Sequence, residues 1–201
     1  MAKRGKALFK SVCLGKCKSR DLPKRLNLTG IAPEMNRLWD ASVRELASGV
    51  VREHAALLVW ERERLHLTNI VEGADDEVEP TYQLAEEQQF VGTFHTHPYV
   101  TGWLGIPFSE ADFASTLVHK ENIAVIHSGN HIYALVRTEM TPQFVDWQIV
   151  ANQAQELFKT YSRFCSFPGS VFNMNIGMCE RYNIGFYSGD ITGQLRLELR
   201  P

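Results

Sequence analysis

The feature that most restricts the fold of this chain is the way its apolar residues change period along it. From Glu34 to Ser48, Met35, Leu38, Trp39, Ala41, Val43 and Leu46 recur at helical spacing, with Pro33 suited to a first turn and Gly49 to an end. That stretch predicts a core-facing helix. Ala55 to Trp60 is a continuous apolar run, and Arg64 to Ile70 alternates, so two strands are expected there. The acidic segment Glu72 to Glu79, closed by Pro80, has the composition of an exposed loop. Phe90 to His95 is β-rich, and Ser109 to Glu121 returns to helical period through Ala111, Phe113, Ala114, Leu117 and Val118. Two more strands, Ile123 to His127 and His131 to Val136, flank the hairpin connection Ser128-Gly129-Asn130, and Val145 to Tyr161 predicts a further amphipathic helix. No internal repeat interrupts this order, which predicts the α+β class with a mixed β-sheet flanked by helices.

A chain of 201 residues with 44% apolar content can bury a proper core as one domain with appendages. Charged residues interrupt every apolar segment before it reaches the roughly 20 residues that a bilayer span requires. No membrane partner is expected. The apolar stretch around Ala7 to Phe9 is far shorter than a secretory h-region, which makes the cytoplasm the expected location. Charge is unevenly placed, since nine Lys or Arg against Asp21 alone leave the first thirty residues at +8 and the remainder at −10. The expected organisation is a basic arm over 1–25, a central domain over 26–140, and a C-terminal helix and extension over 141–201 packed on the core. With no aromatic residue beyond Phe9 interleaved among its cations, the arm argues against specific nucleic-acid binding. Cys13, Cys17, Cys165 and Cys179 contain no C-x-x-C pair and are expected as reduced thiols.

The chemistry is concentrated in two short motifs. His95-Thr96-His97 ends a predicted strand, where alternate side chains share a face, so both imidazoles project the same way. Fifteen positions after His97, Asp112 falls in the first turn of the next helix, on one face with Ser109 three residues before it. Two imidazoles and one carboxylate form a donor set that suits one zinc ion and leaves a fourth tetrahedral position open for water. Taken alone, Ser109 to Asp112 also reads as an N-cap with its capping-box partner, and the two roles are compatible because a capped helix start is rigid. His54, His66, His119, His127 and His131 are expected to be packing or surface residues. No H-E-x-x-H, G-x-S-x-G or phosphate-loop signature is present.

With these motifs the chain resembles the JAMM/MPN+ zinc metalloproteases, whose pattern is an upstream Glu, then H-x-H-P, a spacer and S-x-x-D. His95-Thr96-His97-Pro98 and Ser109-Glu110-Ala111-Asp112 match it, and Glu53 stands before an apolar strand as the family's Glu does. The likeness covers about residues 34 to 140 and points to a prokaryotic-type JAB domain protein. It implies an MPN/JAB fold, which is cytidine-deaminase-like, and assigns His95, His97 and Asp112 to zinc, Glu53 to general base and Ser109 to oxyanion donor. The implied activity is peptidase or isopeptidase cleavage after the C-terminal tail of ubiquitin or a ubiquitin-like protein. Alternatives within the resemblance are a sulfur-carrier or cell-wall peptide substrate, or a non-catalytic MPN-type scaffold that binds a protein partner. The chain departs from the pattern in three places, one being the lack of a second insertion of the kind that grips ubiquitin in the chain-specific deubiquitinases, so strict ubiquitin specificity does not carry over. Tyr99 to Phe108 makes a spacer four residues longer than the family's, with Trp103, Leu104, Ile106 and Phe108 giving it an apolar character. Ala56 and Trp60 replace two glycines of the Glu strand, which leaves Glu45, Glu61 and Glu63 as competitors for the base.

Overall fold

In a computed structural model, residues 2–44, 46–73, 78, 80–98 and 105–201 are described, the side chains of 2–4 excepted. Glu45, most of the acidic loop and the 99–104 part of the spacer, Trp103 and Leu104 included, lie outside them.

The apolar run His54–Glu61 (β2) turns at Arg62 and Glu63, both with positive φ, into Arg64–Glu72 (β3), and the two pair antiparallel. Gln89–Thr96 (β4) pairs with the other edge of β2, placing His95 opposite Ala55. Ile123–Ser128 (β5) and His131–Arg137 (β6) form the expected hairpin. The β4–β5 pair is parallel. A parallel pair needs a crossover connection, and Glu110–Val118 (α3) lies within it. The crossover depends on Gly92, where a Cβ would lie 1.9 Å from the Ile123 carbonyl oxygen.

Beyond residue 161 the chain is more regular than its composition suggests. Trp147–Tyr161 (α4) is followed by Phe167–Tyr182 (α5) and by the strands Ile184–Asp190 (β7) and Gln194–Leu199 (β8). β7 adds to β6, and β8 then receives Arg25–Asn27 (β1), giving one sheet in the order β1-β8-β7-β6-β5-β4-β2-β3. The C-terminal extension is thus part of the central sheet. The basic N-terminal stretch forms the helix Ala2–Cys13 (α1), which buries Val12 and Cys13 and sets Phe9 6.1 Å from Trp60.

Helices cover both sides of this mixed sheet, completing an α+β architecture. On one face α1 and Ala32–Val43 (α2) pack over Ala56, Leu58, Phe94, Val125 and Ala134. On the other, α3, α4 and α5 pack over Ile126, Tyr133, Leu135 and Phe186. Leu57 and Leu58 are wholly buried in β2, between β4 and β3, where truncation to alanine costs about 2–5 kcal/mol. No helix of the described residues is long and apolar enough to cross a membrane.

Candidate metal centre

The parallel pair determines where the motifs meet. Because β4 leads through the crossover into α3, the carboxyl end of β4 and the amino end of α3 come together beside the end of β5, a usual place for a site in such units. Strand alternation sends His95 and Thr93 to the α3 side and Phe94 and Thr96 to the α2 side. At the helix start, Ser109 is the N-cap and Asp112 its partner in a complete capping box. Ser109 Oγ and N donate to Asp112 Oδ2 at 2.6 and 2.7 Å, and Asp112 N donates back to Ser109 Oγ at 3.2 Å. The cap locks the carboxylate. Buried Asn175 on α5 secures the approach to it, donating to the Phe108 carbonyl at 2.7 Å.

Donor atoms from three residues converge there. His95 Nε2 and His97 Nε2 are 3.0 Å apart, and Asp112 places Oδ1 3.2 Å from the first and Oδ2 3.3 Å from the second. Donors bound at 2.0–2.2 Å around a tetrahedral ion stand about 3.3 Å from one another. Each histidine faces a different carboxylate oxygen, and with one ligand atom from each residue the three lie within 4.8 Å of one another, so this trio could hold a metal. Among the described residues it is the one such group of three or more His, Cys, Asp or Glu side chains.

The surroundings favour ligand geometry as well. His97 Nδ1 faces the Ile106 carbonyl at 3.2 Å; donation there leaves the Nε2 lone pair directed at the centre. Ser128 fixes that carbonyl, its Oγ accepting from Ile106 N at 2.9 Å and donating to the His97 carbonyl at 3.1 Å. Gly105, at φ +60°, permits the approach, since a Cβ would meet the Ser128 carbonyl oxygen at 2.3 Å. Burial works against the Asp112 charge, yet His95 and His97 hold its carboxyl well below the usual range. Burial likewise opposes protonation of His95, but Asp112, Glu53 and Glu121 together raise its pKa.

No family model matches the chain, and no curated protein does either.

Each residue singled out by sequence can now be placed. Glu53 is buried two residues before Ala55, the residue opposite His95, and its charge acts on that imidazole. Glu61 and Glu63 lie at the far end of β2, where Glu61 faces Arg64 and Glu63 bonds Lys10. About eight strand residues, or roughly 26 Å at 3.3 Å each, separate Glu61 from Glu53. None of the other five histidines joins the trio. Cys13, Cys17 and Cys179 are buried free thiols and Cys165 is an exposed one.

Two further features carry no signal of their own in sequence. Glu121, in the turn after α3, is buried behind His95 and accepts from Thr93 N and Oγ1 at 2.9 and 2.8 Å; burial pushes its pKa up to about 7. On the opposite face, Thr96 lies between His95 and His97 in sequence and is wholly buried. Its Oγ1 accepts from His54 N at 2.9 Å and lies 2.7 Å from Ser42 Oγ, which is itself 2.8 Å from His54 Nδ1. This clamp joins the end of β4 to the start of β2, and hence His95 and His97 to Glu53.

Proposed function

We propose that the chain is a zinc-dependent peptidase or isopeptidase of the JAMM type with an MPN/JAB fold, zinc being held by His95, His97 and Asp112. The observation that carries this reading is the convergence of those three donor side chains with the buried Glu53 carboxylate close enough to act on His95. An N,N,O set with an open fourth position is the pattern of catalytic rather than structural zinc. Bound zinc supplies Lewis acidity toward water and a scissile carbonyl.

The remaining work falls to the chain's own residues. Glu53 takes the proton of the attacking water and passes it to the departing amine. Ser109, whose hydroxyl is now held by Asp112, turns to donate to the oxyanion as negative charge develops there. Asp112 is kept in place meanwhile by the backbone N–H of Ser109. The proposed substrate is the flexible C-terminal tail of ubiquitin or a ubiquitin-like protein joined to an amine, a class supported by the motif resemblance.

Zinc-loaded protein incubated with ubiquitin-like fusions should release the tail at its C-terminus, and o-phenanthroline should stop the reaction. Zinc binding without cleavage of any fusion, including sulfur-carrier and cell-wall peptide substrates, would leave a metal-holding scaffold and end the peptidase reading.

A further inference from the structure

A groove of about 1120 Å³ opens on the α1 and α2 side of the sheet. It exceeds the 300–1,000 Å³ usual for a small-ligand pocket. Its walls are α1, the turn after β1, and residues of both terminal strands, Arg25 and Asn27 of β1 and Arg64 to Leu67 of β3. A terminal strand turns the N–H and C=O groups of alternate residues outward, unpaired, and so offers a template for another strand.

The lining divides by strand parity. Leu65 and Leu67 pack toward the core cluster of α1 and α2, beside Leu8, Phe9 and Trp60. Arg64 and His66 alternate with them on β3. The rim also carries a charge imbalance. Glu34 is bonded to Arg37 and Glu63 to Lys10, whereas Lys6, Arg25 and Arg64 have no ion-pair partner among the described residues. Three uncompensated cations beside an apolar floor call for an occupant that is acidic on one side and apolar on the other.

We propose that this groove binds an extended peptide in which apolar and acidic residues alternate, added as a strand to the outer edge of β3, which pairs with no further strand among the described residues. Side chains adjacent in the sheet lie on the same face, so the apolar residues of such a peptide sit beside Leu65 and Leu67 and reach Phe9 and Trp60. The alternate residues lie beside Arg64 and His66. Main-chain hydrogen bonds supply affinity, and the alternation supplies selectivity. The inference is independent of the metal centre, which lies on the other face of the sheet.

The test uses full-length protein and fluorescein-labelled Glu-Val-Glu-Val-Glu-Val-Glu, read by fluorescence anisotropy. Saturable binding that weakens with salt is expected, together with slowed amide exchange over residues 64–67. Arg64→Glu, an exposed change that leaves the core intact, should weaken binding about tenfold, equivalent to about 1.4 kcal/mol. A Lys-Val repeat should fail, and so should an acidic peptide with proline at alternate positions, which cannot complete the strand ladder. Equal binding of the lysine or proline peptide would overturn the proposal, as would no binding of the acidic one. Tight binding of palmitate in its place would show a groove for an amphipathic small anion instead.

Discussion

Two buried polar clusters lie back to back across the end of β4, and only one of them has the makings of a reactive site. On the α2 side, Ser42, His54 and Thr96 form a closed chain: Thr96 Oγ1 accepts from His54 N and donates to Ser42 Oγ, which donates to His54 Nδ1. This is the proton assignment that satisfies every member. On the α3 side, His95, His97 and Asp112 bring one electron-pair donor each to within 4.8 Å of one another, with His97 and Asp112 braced from behind. Both clusters contain histidine and both are largely buried. A cluster that pairs internally spends its lone pairs on structure, whereas one whose acceptors face each other gains by taking up a cation.

The largest effect should come from the converging side. His97→Ala removes a ligand, so metal affinity should fall beyond the 10–100-fold typical of losing an outer-shell partner, and turnover should fall with it. Zinc measured by elemental analysis after dialysis should drop from one per chain toward none. Full occupancy in this variant would show that the two clusters differ less than their geometry implies.

Glu53→Gln should separate metal from chemistry. The amide keeps the shape of the side chain but cannot accept the proton, so turnover should fall about 10²–10⁴-fold while zinc content stays at the wild-type level. Unchanged turnover would send the search for the base to Glu45. Glu61 and Glu63 stand too far along β2 to serve.

The two sides also differ in how much of them is legible in sequence. His95 and His97 can be read because strand alternation is local, and Asp112 because a capping box spans only four residues. Glu121 cannot: a Glu at the end of an amphipathic helix has the pattern of a solvated charge, and only the approach of β5 to Gly92 encloses it. The clamp is hidden for a related reason, since Ser42, His54 and Thr96 come from three segments whose proximity exists only in the folded sheet. At the level of fold, the elements from α2 to α4 follow their apolar periods closely, apart from helix α2 ending at Val43 before a separate short turn over Leu46–Ser48. The segment after residue 161 does not. α5 includes Gly169, Asn173, Asn175 and Gly177, poor helix formers individually, and is held by burial of Val171, Met174, Met178 and Cys179. β7 opens with four buried residues and shows no alternation, as expected for a strand covered on both faces.

Thr96→Val tests whether the closed cluster serves the open one. Valine keeps the volume but removes the hydroxyl, leaving the buried His54 N–H without its acceptor at a cost of about 1–3 kcal/mol in stability. If the clamp places Glu53 relative to the ligands, kcat should also fall, by about the 10–100-fold seen on losing outer-shell support, with zinc content and KM little changed. Thr96→Ser, which restores the oxygen, should recover most of the loss. A variant that is less stable but turns over normally would confine the cluster to a structural role.

The smallest effect on turnover, and one visible mainly in stability at low pH, belongs to His127 on the clamp side. Its imidazole is 1% exposed and stands edge-on to Trp39 at 4.9 Å, with neither ring nitrogen hydrogen-bonded among the described residues; burial lowers its pKa to about 4. The unfolded chain takes up this proton near pH 6.5 and the folded protein only near pH 4. Stability therefore falls as pH drops from about 6.5 to about 4 and is unaffected by this group above that window. Between pH 7.5 and pH 5 the loss should be about 2 kcal/mol, because each tenfold difference in proton affinity between the unfolded and folded chains is worth about 1.36 kcal/mol. His127→Phe retains an aromatic ring against Trp39 and has no proton to take up. Urea unfolding of both proteins in EDTA should therefore show a shallower fall for the variant, because the contributions of His95 and Asp112 are common to the two and cancel. Parallel pH profiles would mean that the His127 ring is solvated in the folded protein, and the α2 side of β5 would then be more open than its packing against Trp39 implies.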